Sequence, residues 1–411
     1  MMRRTVRIVL TSLVLAGLAA SAAADNGLQP WDHGRNPAFF DNGAREYAEL
    51  GLSADIDVSN SILALSDIFT EELVIDLDEI YANTPDRGMR VGSALGTETH
   101  LSVRLDRLGF GFFTDTSSFT RLTIPKEFIG LITQGNELDQ TYADATELVQ
   151  RSFTEAGAYA TYAYAGFVFG AKLSAFAPLV YSDTNAKATF ELTTAADGTV
   201  EGEVSAAGDV YTAGGDDGLV GTGANISLGV VRPDENGSPL YGGAINSIPI
   251  VAARPGYAFD LEQTGFTFTT DSLLDAINNG EDPFTTSETE GDADVIALDP
   301  GDRPKVHMPI SISGFYRFAV PVVDVVPGAE IVFGDYARLN AEVNIEGNIV
   351  PLNMLSVGLG YTNSLWHAGA GLRFPLRVFE LDLQIRSVGT EIAGVFDGRG
   401  VGATVGLALG Y

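Results

Sequence analysis

From Leu339 to Ile349 the odd positions read Leu, Ala, Val, Ile, Gly, Ile and the even positions Asn, Glu, Asn, Glu, Asn. A period of two sends alternate side chains to opposite faces of an extended chain, so this run dictates a β-strand with one apolar and one polar face. The pattern recurs. Phe379, Leu381, Leu383 and Ile385 alternate with Glu380, Asp382, Gln384 and Arg386, and Trp366, Ala368, Ala370, Leu372 and Phe374 with His367, Gly369, Gly371 and Arg373. Near the start, Leu50, Leu52, Ala54, Ile56 and Val58 alternate with Glu49, Gly51, Ser53, Asp55 and Asp57. Each run is about 10–13 residues long, more than the five or six usual in soluble sheets and suited to a tilted bilayer crossing.

Noisier runs near 89–105, 107–121, 154–164, 166–180, 186–195, 199–212, 220–231, 255–270, 306–319, 326–333, 353–361 and 400–411 bring the expected strand number to about 14, within a range of 12–16. The expected fold is all-β: a transmembrane antiparallel β-barrel, apolar face toward outer-membrane lipid and polar face toward the lumen. Such a sheet closes because lipid cannot satisfy a free edge. The gaps agree with that sidedness. Those at 59–88, 122–151 and 271–305 follow odd-numbered strands and are long, whereas 105–106, 165 and 196–198 are short; only 232–254 breaks the rule.

Three stretches do not read as barrel. Residues 60–82 space Ile62, Leu65, Ile68, Phe69 and Leu73 for a helical loop insertion, and a second helix is expected from Leu138 to Arg151. Residues 271–305 carry ten Asp and Glu with Gly, Thr and Pro, the composition of a solvated acidic loop. Clustered carboxylates suit calcium, but this loop has no D-x-[DN]-x-[DN]-G ligand run, so no metal is assigned.

Residues 1–24 read as a signal peptide: Arg3, Arg4 and Arg7, an apolar stretch from Ile8 to Ala20, then Ala22-Ala23-Ala24 as a cleavage site. No later segment is apolar for 18 residues. The formal charge of −30 repels phosphate and argues against nucleic acid as a partner. With no Cys, disulfide scaffolds and thiol nucleophiles are excluded. Four His, without H-E-x-x-H, G-x-S-x-G or a P-loop, support neither an enzyme nor a cofactor.

Two motifs carry a resemblance. Thr404-Val-Gly406-Leu-Ala-Leu409-Gly-Tyr411 resembles the signal read by the outer-membrane assembly machinery, with Thr404, Gly406, Leu409 and Tyr411 as its elements. Asn36-Pro37-Ala38-Phe39-Phe40, just before the first strand, resembles the Asn-Pro-Ala element in the N-terminal hatch of the long-chain fatty-acid transporter-like (FadL-like) superfamily. That resemblance implies an outer-membrane location in a diderm bacterium, a short luminal plug or hatch over 25–44 and a barrel over 45–411. It further implies passage or binding of a small hydrophobic molecule; a non-transporting structural or secretion-associated barrel is the alternative. On parity, Gly358, Gly360, Gly369, Gly371, Gly402 and Gly406 share the polar face of their strands. Glycine in a strand marks close backbone approach, so these are expected to form the wall facing the plug.

Overall fold

Each alternating run becomes a strand, and the strands close on themselves. The fold is taken from a computed structural model that describes residues 36–41, 47–62, 77–134, 139–182, 186–196, 199–215, 218–235, 237–259, 265–270, 285–288, 295–334, 337–347, 354–376 and 378–410. The barrel begins with β1 (Ala48–Asn60), β2 (Met89–Leu105), β3 (Leu108–Ile124), β4 (Gln140–Tyr164) and β5 (Phe167–Ser182). It continues with β6 (Gly223–Pro233), β7 (Pro239–Val251), β8 (Ile310–Tyr316), β9 (Val323–Phe333) and β10 (Ala337–Gly347). The last four are β11 (Leu355–Thr362), β12 (Leu365–Leu376), β13 (Phe379–Gly389) and β14 (Gly400–Gly410). Every strand pairs antiparallel with the next, and β14 returns to β1 from Glu49↔Gly410 to Ser59↔Gly400, so 14 strands close the barrel without an edge.

The sidedness follows the parity read from the sequence. Asn344 is 0% exposed, whereas its neighbours Val343 and Ile345 are 42% and 40% exposed. In β1, Leu50, Leu52, Ile56 and Val58 face outward while Glu49, Asp55 and Ser59 are buried. An exterior of aliphatic side chains around a polar lumen is the surface of a membrane-spanning barrel. Exposed aromatics gather at the end that holds the start of β1 and the end of β14. There Tyr241 stacks on Tyr316 with ring planes within 2°, Tyr162 on Tyr164, and Tyr316 meets Phe318 at 4.6 Å. Amphipathic rings at one level form the girdle expected at a membrane–water boundary.

The structure corrects several expectations. The long gap at 232–254 contains β7, and the connection from β6 is only 234–238, so the break at that point disappears, although the connections after β9 and β11, at 334–336 and 363–364, are short as well. The runs at 186–195, 199–212 and 255–270 do form strands, but outside the wall. Lys187–Thr194, Val200–Ala207, Gly265–Thr270 and Thr285–Glu288 extend the first third of β4 into a projecting sheet. Val210–Thr212, Tyr257–Phe259 and Val295–Ala297 continue from the end of β5. Alternation specifies a half-buried strand and not which sheet takes it.

The helix expected from Leu138 to Arg151 is strand β4. Leu138, Tyr142, Ala145 and Val149 have helical spacing, yet the backbone pairs with β3 on one side and with Lys187–Thr194 on the other. The helix lies one segment earlier, at Lys126–Gln134, where Phe128 meets Phe190 at 5.0 Å over Ala188 and Leu192. Of the insertion expected at 60–82, Asn60 still belongs to β1 and Leu77–Asn83 is helical; 63–76 lie outside the described residues. Most of the acidic stretch 271–305 lies outside them too, as do the proposed signal peptide, Tyr411 and the hatch before Asn36.

Candidate functional site

Inside the lumen, Pro37–Asp41 forms a single 3-10 turn. Pro37 suits its start, since the ring fixes φ and the missing N–H needs no partner there. The Asn36 side chain closes the turn by accepting from the Ala38 N–H at 3.0 Å, and its backbone carbonyl accepts from Phe39 N–H at 3.0 Å. The same side chain ties the turn to the wall, with Nδ2 donating to the carbonyls of Val230 at 3.2 Å and Gly243 at 3.3 Å. Asn36, Ala38 and Phe39 are buried. Ala38 and Phe39 pack with Val168, Val231, Phe315 and Val326, and the Phe39 and Phe315 rings are 5.5 Å apart. These partners come from β5, β6, β8 and β9 near the end of the barrel that holds the start of β1 and the end of β14.

The glycines against this turn are not those expected. A Cβ on Gly170 of β5 would overlap the Pro37 carbonyl and the Ala38 nitrogen, and one on Gly229 of β6 would overlap Asn36 Oδ1. Side chains of the barrel itself cover the expected glycines instead. A Cβ on Gly360 would meet His367 and Glu342; on Gly369, Arg386; on Gly371, Ser356 and Gln384; on Gly402, Asp57 and Arg386; and on Gly406, Asp382. Gly358 lies beside Gly369 in the β11–β12 register. Parity identified luminal glycines but not what covers them. The covering side chains are long and polar, on the next strand, and invisible to a count along one strand.

The rest of the lumen is bridged by ion clusters. Arg386, 2% exposed, donates to Asp55, to Asp57 at 2.9 Å and to Thr404 at 3.0 Å, joining β13, β14 and β1 across the closing seam. Lys172 reaches Glu155 at 3.0 Å and lies 4.5 Å from the centre of the Phe113 ring, while Ser174 links Glu155 to Asn225. Nearer the turn's end of the barrel, Arg317 spans Asp324 and Glu346, Arg373 spans Glu380 and Asp382, and His100 sits between Glu49 and Glu98. These cross-strand ladders rigidify the wall, because removing either partner would leave a buried charge without compensation. Lys187 is exposed on the projecting sheet, away from these clusters.

Of the assembly-signal residues, Leu409 is exposed on the outer face and Thr404 is buried on the inner face with Gly406. No group of three or more His, Cys, Asp or Glu suited to a metal is found among the described residues.

No protein-family model matches the chain, and no curated protein matches it. Solved structures similar to it include the CymD monoaromatic hydrocarbon channel, 11% identical over 96% of this chain and 98% of that one, with a TM-score of 0.42. A mutant of the TodX monoaromatic hydrocarbon channel is 12% identical over 91% of both chains, TM-score 0.39. The Pseudomonas putida toluene transporter TodX is 11% identical over 95% of this chain and 94% of that one, TM-score 0.37. Scores at this level carry no argument about function, which rests on the geometry of the lumen.

Proposed function

We propose that this chain is an outer-membrane β-barrel of the FadL-like type that binds or passes a small hydrophobic molecule, with residues 36–40 acting as a plug. The observation that carries the reading is the Asn36 clasp: a buried turn, held by side-chain hydrogen bonds to two wall carbonyls and seated on Gly170 and Gly229. Fixing a turn inside a lumen costs conformational entropy, which the apolar packing of Ala38 and Phe39 offsets. A short segment held by two modest bonds is also easily displaced, as a gate must be. In this reading the end that holds the start of β1 and the end of β14 faces the periplasm, the projecting sheet faces the outside, and the C-terminal signal engages the assembly machinery.

The test is uptake of a labelled small hydrocarbon by cells that carry the barrel, compared with cells that lack it. Faster uptake with the barrel present supports passage. Equal uptake from a correctly folded barrel favours the structural alternative, with which the bridged lumen also agrees.

A further inference from the structure

The connection between β13 and β14 folds back onto the outside of the wall. Its helical turn, Ile392–Phe396, is closed by Asp397, whose N–H donates to the Ala393 carbonyl at 3.0 Å. The Ser387 hydroxyl donates to the Val395 carbonyl, and Ser387 has the outward parity of Ile385 in β13. A Cβ on Gly389, the next residue on that outward face, would overlap the backbone of Gly394 and Val395. The turn therefore lies against the outer surface and not over the lumen, and Gly389 is what allows so close an approach. Gly394 and Val395, which meet the wall, are buried.

The rest of the turn is apolar and open. Ile392 and Phe396, four residues apart and so on one helical face, are 46% and 76% exposed. No large apolar side chain among the described residues is more exposed than Phe396. This face continues the apolar wall, because Ser387 pairs with Val401, and Ile385 and Val401 both stand exposed on the outer face. Gly389 pairs with Trp366, whose ring lies 5.0 Å from that of Tyr361. Aromatic rings at the strand ends mark the membrane–water boundary, here at the end of the barrel away from the Pro37–Asp41 turn. A helical segment with one apolar face at that level lies in the interface plane, its apolar side about 5–10 Å into the acyl boundary. Arg399 is already engaged, by Asp397 at 3.2 Å and by the Ser61 carbonyl at 2.8 Å, so the apolar face and not a cation defines the partner.

We infer that the Ile392–Phe396 turn is a membrane anchor, which buries Ile392 and Phe396 among the acyl chains of the outer leaflet and holds the β13–β14 connection at a fixed depth. The inference rests on the reading of the chain as an outer-membrane barrel. It gives this connection a lipid partner that the strands themselves do not require.

Tryptophan fluorescence of the full chain, refolded into phosphatidylcholine vesicles, tests it. The two native Trp, Trp31 and Trp366, are replaced by Phe, and single reporters are introduced as Phe396→Trp, Ile392→Trp and, on the wall itself, Ile385→Trp. With lipid brominated along its acyl chains, each reporter should lose most of its emission, whereas aqueous acrylamide should quench each only weakly. In heat-modifiable barrels, bromine quenching of Ile385→Trp but of neither Phe396→Trp nor Ile392→Trp overturns the anchor alone. Strong acrylamide quenching of those two puts the face in water, and protection from both quenchers puts it against a second copy of the chain; either result overturns the anchor. Absence of bromine quenching at Ile385→Trp as well overturns the membrane reading itself, and the anchor with it.

Discussion

Arg386 and Asp57 lie 329 residues apart in the chain and 2.9 Å apart in the lumen, joined across the strands where the barrel closes. Asp55 and Thr404 complete the cluster, with the Thr404 hydroxyl donating to Asp55 at 2.5 Å. One guanidinium thus holds two neighbouring carboxylates on the first strand against the last two. Replacing it with Met or Leu leaves both carboxylates buried and mutually repelling.

Arg386→Met is expected to destabilise the barrel by about 3–5 kcal/mol, the usual cost of breaking a buried ion pair from one side. Asp55→Asn/Asp57→Asn in the same background should recover most of the loss, because no uncompensated charge then remains. Urea unfolding followed by tryptophan fluorescence measures both. A small effect of Arg386→Met would show that the cluster does not secure the seam.

The outward parity gives a second prediction. Arg at Val343 or Leu383, both on the lipid face, should cost about 2–4 kcal/mol near the bilayer midplane. Arg at the luminal neighbours Asn344 or Gln384 should cost much less; at 344 it would gain Glu346, which the Asn344 amide already reaches at 3.2 Å. Refolding equilibria in lipid vesicles compare the four variants. Equal costs on the two faces would refute the assignment of lipid and lumen sides.

How far the sequence reaches is clearest in β10 and β4. In β10 the alternation has no rival, and register, face and membrane role all follow from it. In β4 the residues 140–147 fit helical and extended spacings alike, and only partners brought from 187–194 decide between them. Strands 200–207 and 265–270 alternate as barrel strands do but pair with each other outside the wall. Periodicity reports one chain segment and its two faces. Partner choice depends on contacts far apart in sequence, which no single segment contains.

The luminal turn shows the same limit. Asn36-Pro37-Ala38 was recognisable as a motif before a first strand, yet Gly170 and Gly229, which accept it, sit among several luminal glycines of equal parity. That difference is testable by labelling, because the chain has no native Cys. A cysteine at Ala38 should react slowly with a maleimide in the parent barrel. It should react at least about tenfold faster when Gly229→Leu or Gly170→Leu displaces the turn, as expected when a buried site opens. Gly369→Leu meets Arg386 instead and should leave the labelling rate unchanged. Equal acceleration from all three would place the turn against the C-terminal wall instead.

The assembly signal makes a prediction about yield. Leu409 is on the lipid face at the end of β14, and Tyr411 continues that parity in the sequence. Tyr411→Asp should lower the amount of heat-modifiable, folded barrel recovered from outer membranes, and Tyr411→Phe should not. Parental yield from Tyr411→Asp would remove the assembly role.

Single-channel conductance in planar bilayers tests most directly whether the luminal turn limits passage. Deleting residues 31–40 removes the Asn36 clasp and Phe39 while leaving every barrel strand in place. The account predicts a clearly higher conductance for the deletion than for the intact chain, from barrels that remain heat-modifiable on gels. An unchanged conductance from such barrels would contradict it, because the segment would then not occlude the lumen.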